Sequence, residues 1–253
     1  MMEIDISTIE FLCNKEIILP IMTTFIGAWV AFKFNTYQII KAQKNEQIAN
    51  LNYLMVIFYK YLEEMDYFNA VIEKKLLSLS NCYDYCQKRH KLPSNMDENV
   101  LNGFAGIFYN KPKADIAIAN YTFTDKNINF IISIIRSIQF IEDVYLGLET
   151  SNDMFEKFSD AHRGKVPDIK YYGDFIDVQI KNLKIIQEKT YQASYVIIDC
   201  IRVMAEYNNK YLKYKIADIK LSENLVQFIE KSRDIVENKY KDLLTAVVFE
   251  TNK

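Results

Sequence analysis

The chain has 253 residues, of which half are apolar and a quarter are charged, with 31 basic against 33 acidic residues. This composition suits one or two packed domains and excludes a disordered chain, and the net charge of −2 excludes a uniformly basic nucleic-acid-binding protein. Only 6 glycines and 4 prolines interrupt the sequence, too few for an all-β sandwich or a glycine-rich phosphate-binding fold. We therefore expect an all-α protein built from long helices.

The most apolar stretch is the segment 17–34, which reads IILPIMTTFIGAWVAFKF and has no charged residue before Lys33. As a helix it would span about 27 Å, close to the ~30 Å hydrocarbon core of a membrane. Pro20 lies in the first turn, where a missing N–H costs little. Aromatic residues gather at the other end, as at a membrane interface: Trp29, Phe32, Phe34 and Tyr37. We predict a single transmembrane helix at 17–34; the alternative is a buried helix in a soluble core.

The charges on the two flanks of this segment predict its orientation. Residues 1–16 are mainly acidic, unlike the basic start of a signal peptide, and no small-residue cleavage site follows. The basic residues after the segment are Lys33, Lys41 and Lys44. By the positive-inside rule, residues 1–16 form a short extracytoplasmic N-terminus and residues 35–253 a cytoplasmic domain. The predicted location is the inner (plasma) membrane, with lipid as the partner of residues 17–34.

The cysteines agree with a cytoplasmic domain. The chain is too long to need disulfide bonds for its stability, so we interpret its four cysteines as reduced thiols. They are Cys13, Cys82, Cys86 and Cys200. The abundance of Ile, Lys, Asn and Tyr is typical of an AT-rich bacterial or phage genome.

A long apolar stripe follows the predicted span. Beyond Gly27, no glycine or proline occurs before Pro93, so residues 28–92 can form one helix, or two helices broken near Asn50 or Asn81. Apolar residues recur there at steps of three and four, and we call this set the apolar seam: Leu51, Leu54, Phe58, Tyr61, Met65, Phe68, Ile72, Leu76, Leu79, Tyr83 and Cys86. The spacing places them on one helical face, which needs a partner inside the chain or in a second copy. Its aromatic residues favour packing inside a bundle over a thin coiled coil.

The remaining segments complete an elongated cytoplasmic bundle of about four or five helices. We expect a short helix at 97–110 and a less certain, helix-like segment at 114–123. Apolar residues at helical spacing predict a helix at 127–148, capped by Thr124 and able to continue to Phe158. A polar connection between Ser159 and Asp168 contains Gly164 and Pro167. Two long antiparallel helices follow, one at 175–214 and one opened by Ser222.

One set of residues bears on metal binding. Cys82, Cys86 and His90 are spaced by four, so a helix places all three on one face, with ligands that suit zinc. However, residues eight apart lie about 12 Å apart along the helix axis, too far for one ion unless the helix ends near Cys86. The alternative is that Cys86 extends the apolar seam and His90 belongs to a basic helix end. We assign no metal site.

No motif predicts catalysis or nucleic-acid binding. With two histidines, the chain has no HExxH motif, and it has no P-loop, GxGxxG or GxSxG motif. The carboxylate pairs Glu63–Glu64 and Glu142–Asp143 are adjacent and point to different sides of a helix. Lysines and tyrosines interleave near position 210, a mixture found on nucleic-acid surfaces but also on ordinary solvated ones: Lys210, Lys213, Lys215 and Lys220 with Tyr207, Tyr211 and Tyr214. Acidic neighbours at Glu206 and Asp218 favour the ordinary surface. We assign no catalytic or cofactor-binding residue, and we expect neither a cofactor nor nucleic acid as a partner.

Three functions remain open on these grounds. The first is a membrane-anchored, non-enzymatic interaction or scaffold protein that self-associates and can bind a cytoplasmic protein. The second is an oligomeric pore or membrane-disrupting effector gated by its cytoplasmic domain, with Thr23, Thr24 and Gly27 supplying a close-packed helix face. The third is a hydrolase or nuclease whose carboxylates come together only in the fold. The architecture resembles that of small membrane-bound effectors or accessory proteins of bacterial defence systems, without a shared motif.

Overall fold

A computed structural model describes residues 15–89, 128–161, 168–214 and 221–250 of the chain. Of these residues, the side chains at 15–17, 89 and 240–250 are not described. The described ranges are almost entirely helical and contain no strand, which confirms the prediction of an all-α protein. Helices predicted at 97–110 and 114–123, and the cap at Thr124, lie outside the described residues.

Four α-helices account for the described chain. They are α1 (Lys15–Arg89), α2 (Ile128–Ala161), α3 (Ile169–Tyr207) and α4 (Glu223–Glu250), and a π-helical turn (Asn208–Leu212) follows α3. The first helix is 75 residues long, so the chain continues through Asn50 and Asn81 in one helix rather than two. Pro20 is the sixth residue of this helix, so it lies in the helix interior and not in the first turn where the sequence analysis placed it. The chain separates into two compact units, Met1–Asn50 and Leu51–Lys253.

In the second unit, the apolar seam of α1 forms one side of the core. Every seam residue is buried except Leu76 and Tyr83, which are half-buried. Helices α2 and α3 cover it: the ring of Phe68 packs edge-to-face on Tyr145 of α2 at 5.6 Å, and Gln187 of α3 donates a hydrogen bond to Asn69 at 3.0 Å. The partner that the seam requires is therefore supplied by the same chain, and the seam is not available to a second copy.

Helices α2 and α3 form a closely packed antiparallel pair. The hydroxyl of Ser137 donates to the carbonyl of Val196 at 3.3 Å, and the rings of Phe158 and Phe175 stack at 3.7 Å. At Gly147 the helices approach so closely that an added Cβ would lie 3.0 Å from Cγ1 of Ile186. Helix α2 extends to Ala161, so the continuation to Phe158 that the sequence allowed is present.

The ends of α3 and α4 are set by polar residues. Asp168 caps α3, with its carboxylate accepting from the N–H of Lys170 at 3.3 Å, so this helix begins at Ile169, earlier than the predicted 175. After the π-helical turn, Lys213 adopts a left-handed conformation with φ of 53°, and the helix ends before the predicted 214. The hydroxyl of Ser222 accepts from the N–H of Leu225 at 3.3 Å, which confirms Ser222 as the cap of α4.

Candidate functional site

The first candidate site is the exposed apolar stretch of α1 at residues 18–34. Its large side chains point outward, with Phe25 76 % exposed and Leu19 71 % exposed. An 18-residue window here has a mean hydropathy of 1.3, and none of it is buried. The core helix of a soluble protein can be as long and as apolar as this stretch, but it is mostly buried. Within the described part of the chain, α1 is the one helix long and apolar enough to cross a membrane.

The polar groups inside this stretch are satisfied by the helix itself. The hydroxyl of Thr23 donates to the carbonyl of Leu19, and that of Thr24 donates to the carbonyl of Pro20 at 2.7 Å. The hydroxyl of Thr36, just beyond the stretch, donates to the carbonyl of Phe32 at 2.8 Å. Hydrocarbon offers no partner to a hydroxyl or to a carbonyl, so internal bonds of this kind are what a helix in lipid requires.

Two further details of the stretch concern close approach and charge. An added Cβ at Gly27 would meet nothing within 4 Å, and a shallow groove nearby is lined by Pro20, Ile21, Thr24, Phe25 and Ala28. The ammonium of Lys33 lies 5.7 Å from the centre of the Trp29 ring. An aromatic ring beside a lysine at one end of an apolar helix suits the boundary between lipid and water.

The two cysteines considered as metal ligands lie in the core of the bundle. Cys82 and Cys86 are buried, and burial raises the pKa of Cys82 to about 11. The hydroxyl of Tyr172 on α3 contacts the Cys82 thiol, and burial raises the pKa of this tyrosine as well. Cys86 therefore extends the apolar seam, as the alternative interpretation held. His90 lies outside the described residues, and the described residues contain no cluster of three metal ligands.

Some of the interleaved lysines and tyrosines already contact other side chains, whereas Tyr214 is exposed. Tyr207 stacks on Phe130 of α2, with ring centres 4.9 Å apart, so its face is already used in packing. The ammonium of Lys210 lies over the ring of Tyr211 at 5.3 Å. Lys215, Asp218 and Lys220 fall outside the described residues.

In the structure, the carboxylates that are adjacent in sequence point to different sides of their helices, as residues one position apart on a helix must. Glu63 is exposed, whereas Glu64 is half-buried and accepts a hydrogen bond from the hydroxyl of Tyr145. Burial raises the pKa of Glu64, opposed by this hydrogen bond. Glu142 and Asp143 are both exposed. No pair of convergent carboxylates arises from these four residues.

A polar cluster that the sequence analysis did not anticipate surrounds Glu73 of α1. Its Oε1 accepts from Lys231 of α4 at 2.6 Å and from Tyr191 of α3 at 3.4 Å. Asn69, one turn earlier on α1, donates to the same oxygen at 3.4 Å, and Gln187 bridges to both residues. The hydrogen bond from Lys231 lowers the pKa of Glu73, and the same contact raises the pKa of Lys231. Three helices therefore meet at one carboxylate.

A second ion pair joins α4 to α3, between Lys239 and Glu188. Lys231 and Glu73 are 158 positions apart, and Lys239 and Glu188 are 51 apart, so no local spacing could have paired them. The one signal in the sequence was the position of Asn69 and Glu73, polar residues one turn apart beside seam residues Phe68 and Ile72.

Comparison of the chain with protein-family models, curated proteins and solved structures found no match.

Proposed function

We propose that this protein is a membrane-anchored, non-enzymatic helical protein whose bundle acts as an interaction or scaffold domain and self-associates. The observation that carries the proposal is the outward-facing apolar stretch at residues 18–34. Leaving this area in water would be costly, at about 25 cal/mol per Å² of apolar surface, and monomeric soluble proteins rarely expose such a patch. A lipid bilayer removes the cost for all faces of the helix at once.

The charge distribution supports one orientation of the anchor. Lys33, Lys41 and Lys44 follow the apolar segment, and the residues before it are mainly acidic. We therefore place residues 1–16 outside and residues 35–253 in the cytoplasm, with the protein in the inner (plasma) membrane. The bundle presents the surface of the protein that lies outside the anchor, and we expect a cytoplasmic protein to bind there.

Membrane fractionation of the full chain tests the anchor. We expect wild-type protein to remain in the membrane pellet after carbonate extraction. Replacing Phe25 and Ile26 together by lysine places two charges near the centre of the segment, at a cost of about 5–7 kcal/mol, and should move the protein to the soluble fraction. The matched control replaces Tyr53 and Val56 by lysine, since both are exposed apolar residues of α1 outside the segment. Complete extraction of the wild-type protein would refute the anchor.

A second candidate function is an oligomeric pore or membrane-disrupting effector. One helix cannot enclose water, so several copies are needed, and the missing side chain of Gly27, on an exposed part of α1, would allow a second helix to approach closely there. Gly27→Leu should then reduce both the oligomer size in detergent and the ion leakage from vesicles. The control is Met22→Phe, which adds bulk in the same segment on a part of the helix surface well away from Gly27. Unchanged size and leakage in Gly27→Leu would exclude this mechanism.

A further inference from the structure

Over residues 223–239, where its side chains are described, helix α4 is held to the bundle by few buried side chains. Among its described side chains, at 223–239, those buried are Leu225, Phe228, Ser232 and Val236. Its other attachments include the ion pairs of Lys231 with Glu73 and Lys239 with Glu188, whose side chains are about half exposed to solvent. Exposed pairs of this kind stabilise weakly and are screened by salt. Release of this described part of α4 should therefore require much less energy than unfolding of the core.

The surface that α4 covers remains internally hydrogen-bonded without it. We call this surface the α4-binding surface: Asn69 and Glu73 on α1, with Gln187, Glu188 and Tyr191 on α3. When Lys231 leaves, Glu73 keeps its hydrogen bonds from Asn69 and Tyr191, at 3.4 Å each. Gln187 also stays bonded to Asn69 at 3.0 Å. A carboxylate with these donors is not left unsatisfied, so the surface can persist after α4 is released.

The same surface specifies the helix that it accepts. Two carboxylates match lysines eight positions apart on α4, and the ammonium of Lys231 also lies 5.5 Å from the centre of the Tyr191 ring. The ring of Phe228 packs against Tyr191 at 5.9 Å. An amphipathic helix with two spaced lysines and an apolar face that includes an aromatic ring therefore fits. Helix α4 of any copy of this chain satisfies these requirements.

We propose that the α4-binding surface accepts α4 from a second copy, so that two chains associate by exchanging this helix. In the exchanged pair, each α4 makes the same contacts that it makes within a single chain. Each copy therefore regains the contacts that it lost when its own α4 was released. This inference rests on the self-association part of the proposed function and is independent of the membrane anchor.

Complementary charge reversal tests the exchange in full-length, detergent-solubilised protein. In Glu73→Lys, the surface repels its own α4, and in Lys231→Glu, the helix is repelled by its own surface. When the two variants are mixed, an exchanged pair restores one wild-type contact and one reversed ion pair, so both contacts are satisfied. We expect a tagged Glu73→Lys chain to retain untagged Lys231→Glu chain roughly three- to tenfold more than it retains untagged Glu73→Lys.

Two controls and one repeat of the test make the result specific. The double variant Glu73→Lys with Lys231→Glu restores pairing inside one chain and should lose the gain. A mixture of Glu63→Lys with Lys184→Glu carries the same net charges at exposed positions outside the surface, and should show no gain. The pair Glu188→Lys and Lys239→Glu repeats the test at the second contact, should the first variants fail to fold.

Equal retention in the mixed and unmixed samples would overturn the exchange. Association through the membrane segment is the same in every mixture, so it cannot produce the difference. Fractionation of the same variants reports the anchor separately, and each proposal can therefore fail without the other.

Discussion

The ammonium of Lys231 lies 2.6 Å from Oε1 of Glu73, joining α4 to α1 across 158 positions of sequence. This oxygen also accepts from Asn69 and Tyr191, so one carboxylate joins side chains of α1, α3 and α4. The hydrogen bond from Lys231 is the largest cause of the lowered pKa of Glu73. Stability should depend on the ionisation of this residue.

We predict that Glu73→Gln removes a stabilisation that depends on pH. The pKa of Glu73 in the fold is below its usual 4.5, so its contribution is full above that value and is lost as the pH falls through the lowered pKa. At neutral pH the variant should unfold about 1–3 °C lower than wild type, since the pair is partly exposed. Thermal unfolding followed by circular dichroism, from neutral pH to about pH 3, should show the two curves converging. Glu63→Gln, on the exposed face of α1, is the control, and a constant difference at all pH values would contradict this assignment.

A second prediction concerns Lys75, which is 7 % exposed and has its ammonium 5.2 Å from the centre of the Phe155 ring. Burial lowers its pKa to about 8 from the usual 10.5. The cost of burying this charge is therefore full below pH 8 and disappears as the pH rises towards 10.5. Lys75→Met should raise the melting temperature at neutral pH by about 2–4 °C, with the gain shrinking above pH 8.

Lys74→Met is the matched control for that experiment, because Lys74 is the exposed neighbour on the same helix. The comparison uses the difference between variant and wild type, since tyrosines such as Tyr61, whose pKa burial raises to about 12, also titrate in alkaline solution. A gain that is independent of pH would mean that Met packs better than the lysine stem, with no contribution from the charge.

Two glycines at different helix surfaces should respond oppositely to alanine. At Gly173 an added Cβ meets nothing within 4 Å, so Gly173→Ala should gain about 0.5–1 kcal/mol from helix propensity. At Gly147 the Cβ would lie 3.0 Å from Cγ1 of Ile186, and crowding should exceed that gain. Melting temperatures of the two variants should move in opposite directions by a few degrees. Combining Gly147→Ala with Ile186→Ala should give a loss smaller than the sum of the single losses, and strict additivity would refute the contact.

Two leucines on the same helix test the burial of the apolar seam. Leu79 is 1 % exposed, whereas Leu77, outside the seam, is 66 % exposed. Leu79→Ala should cost about 3 kcal/mol through lost burial and a residual cavity, lowering the melting temperature by roughly 6–12 °C. Leu77→Ala should change it by less than about 2 °C. Similar effects at both positions would mean that the seam is not packed inside the chain as described.

The local features of the fold were predictable because they depend on residues close in sequence. Ser222 was recognisable as a cap because its hydroxyl needs only the N–H of Leu225, three positions later. The exact start of α3 was missed because Asp168 stands in a polar connection, and its role as a cap depends on the geometry of that turn. The sequence places Tyr207 on a solvated surface, because nothing nearby in sequence indicates Phe130, its partner on α2.

The sequence by itself determined that the protein is helical, that one face of α1 is apolar from Leu51 to Cys86, and that residues 17–34 suit a membrane, since periodicity and hydropathy are properties of neighbouring residues. Only the tertiary structure decided that α2 and α3 cover this face within one chain, and that Glu73 meets Lys231. Contacts of this kind depend on the rotation and axial register of each helix, which the packing of all helices sets together. For that reason the surface beneath α4, on which our inference of exchange rests, could not be predicted from the sequence.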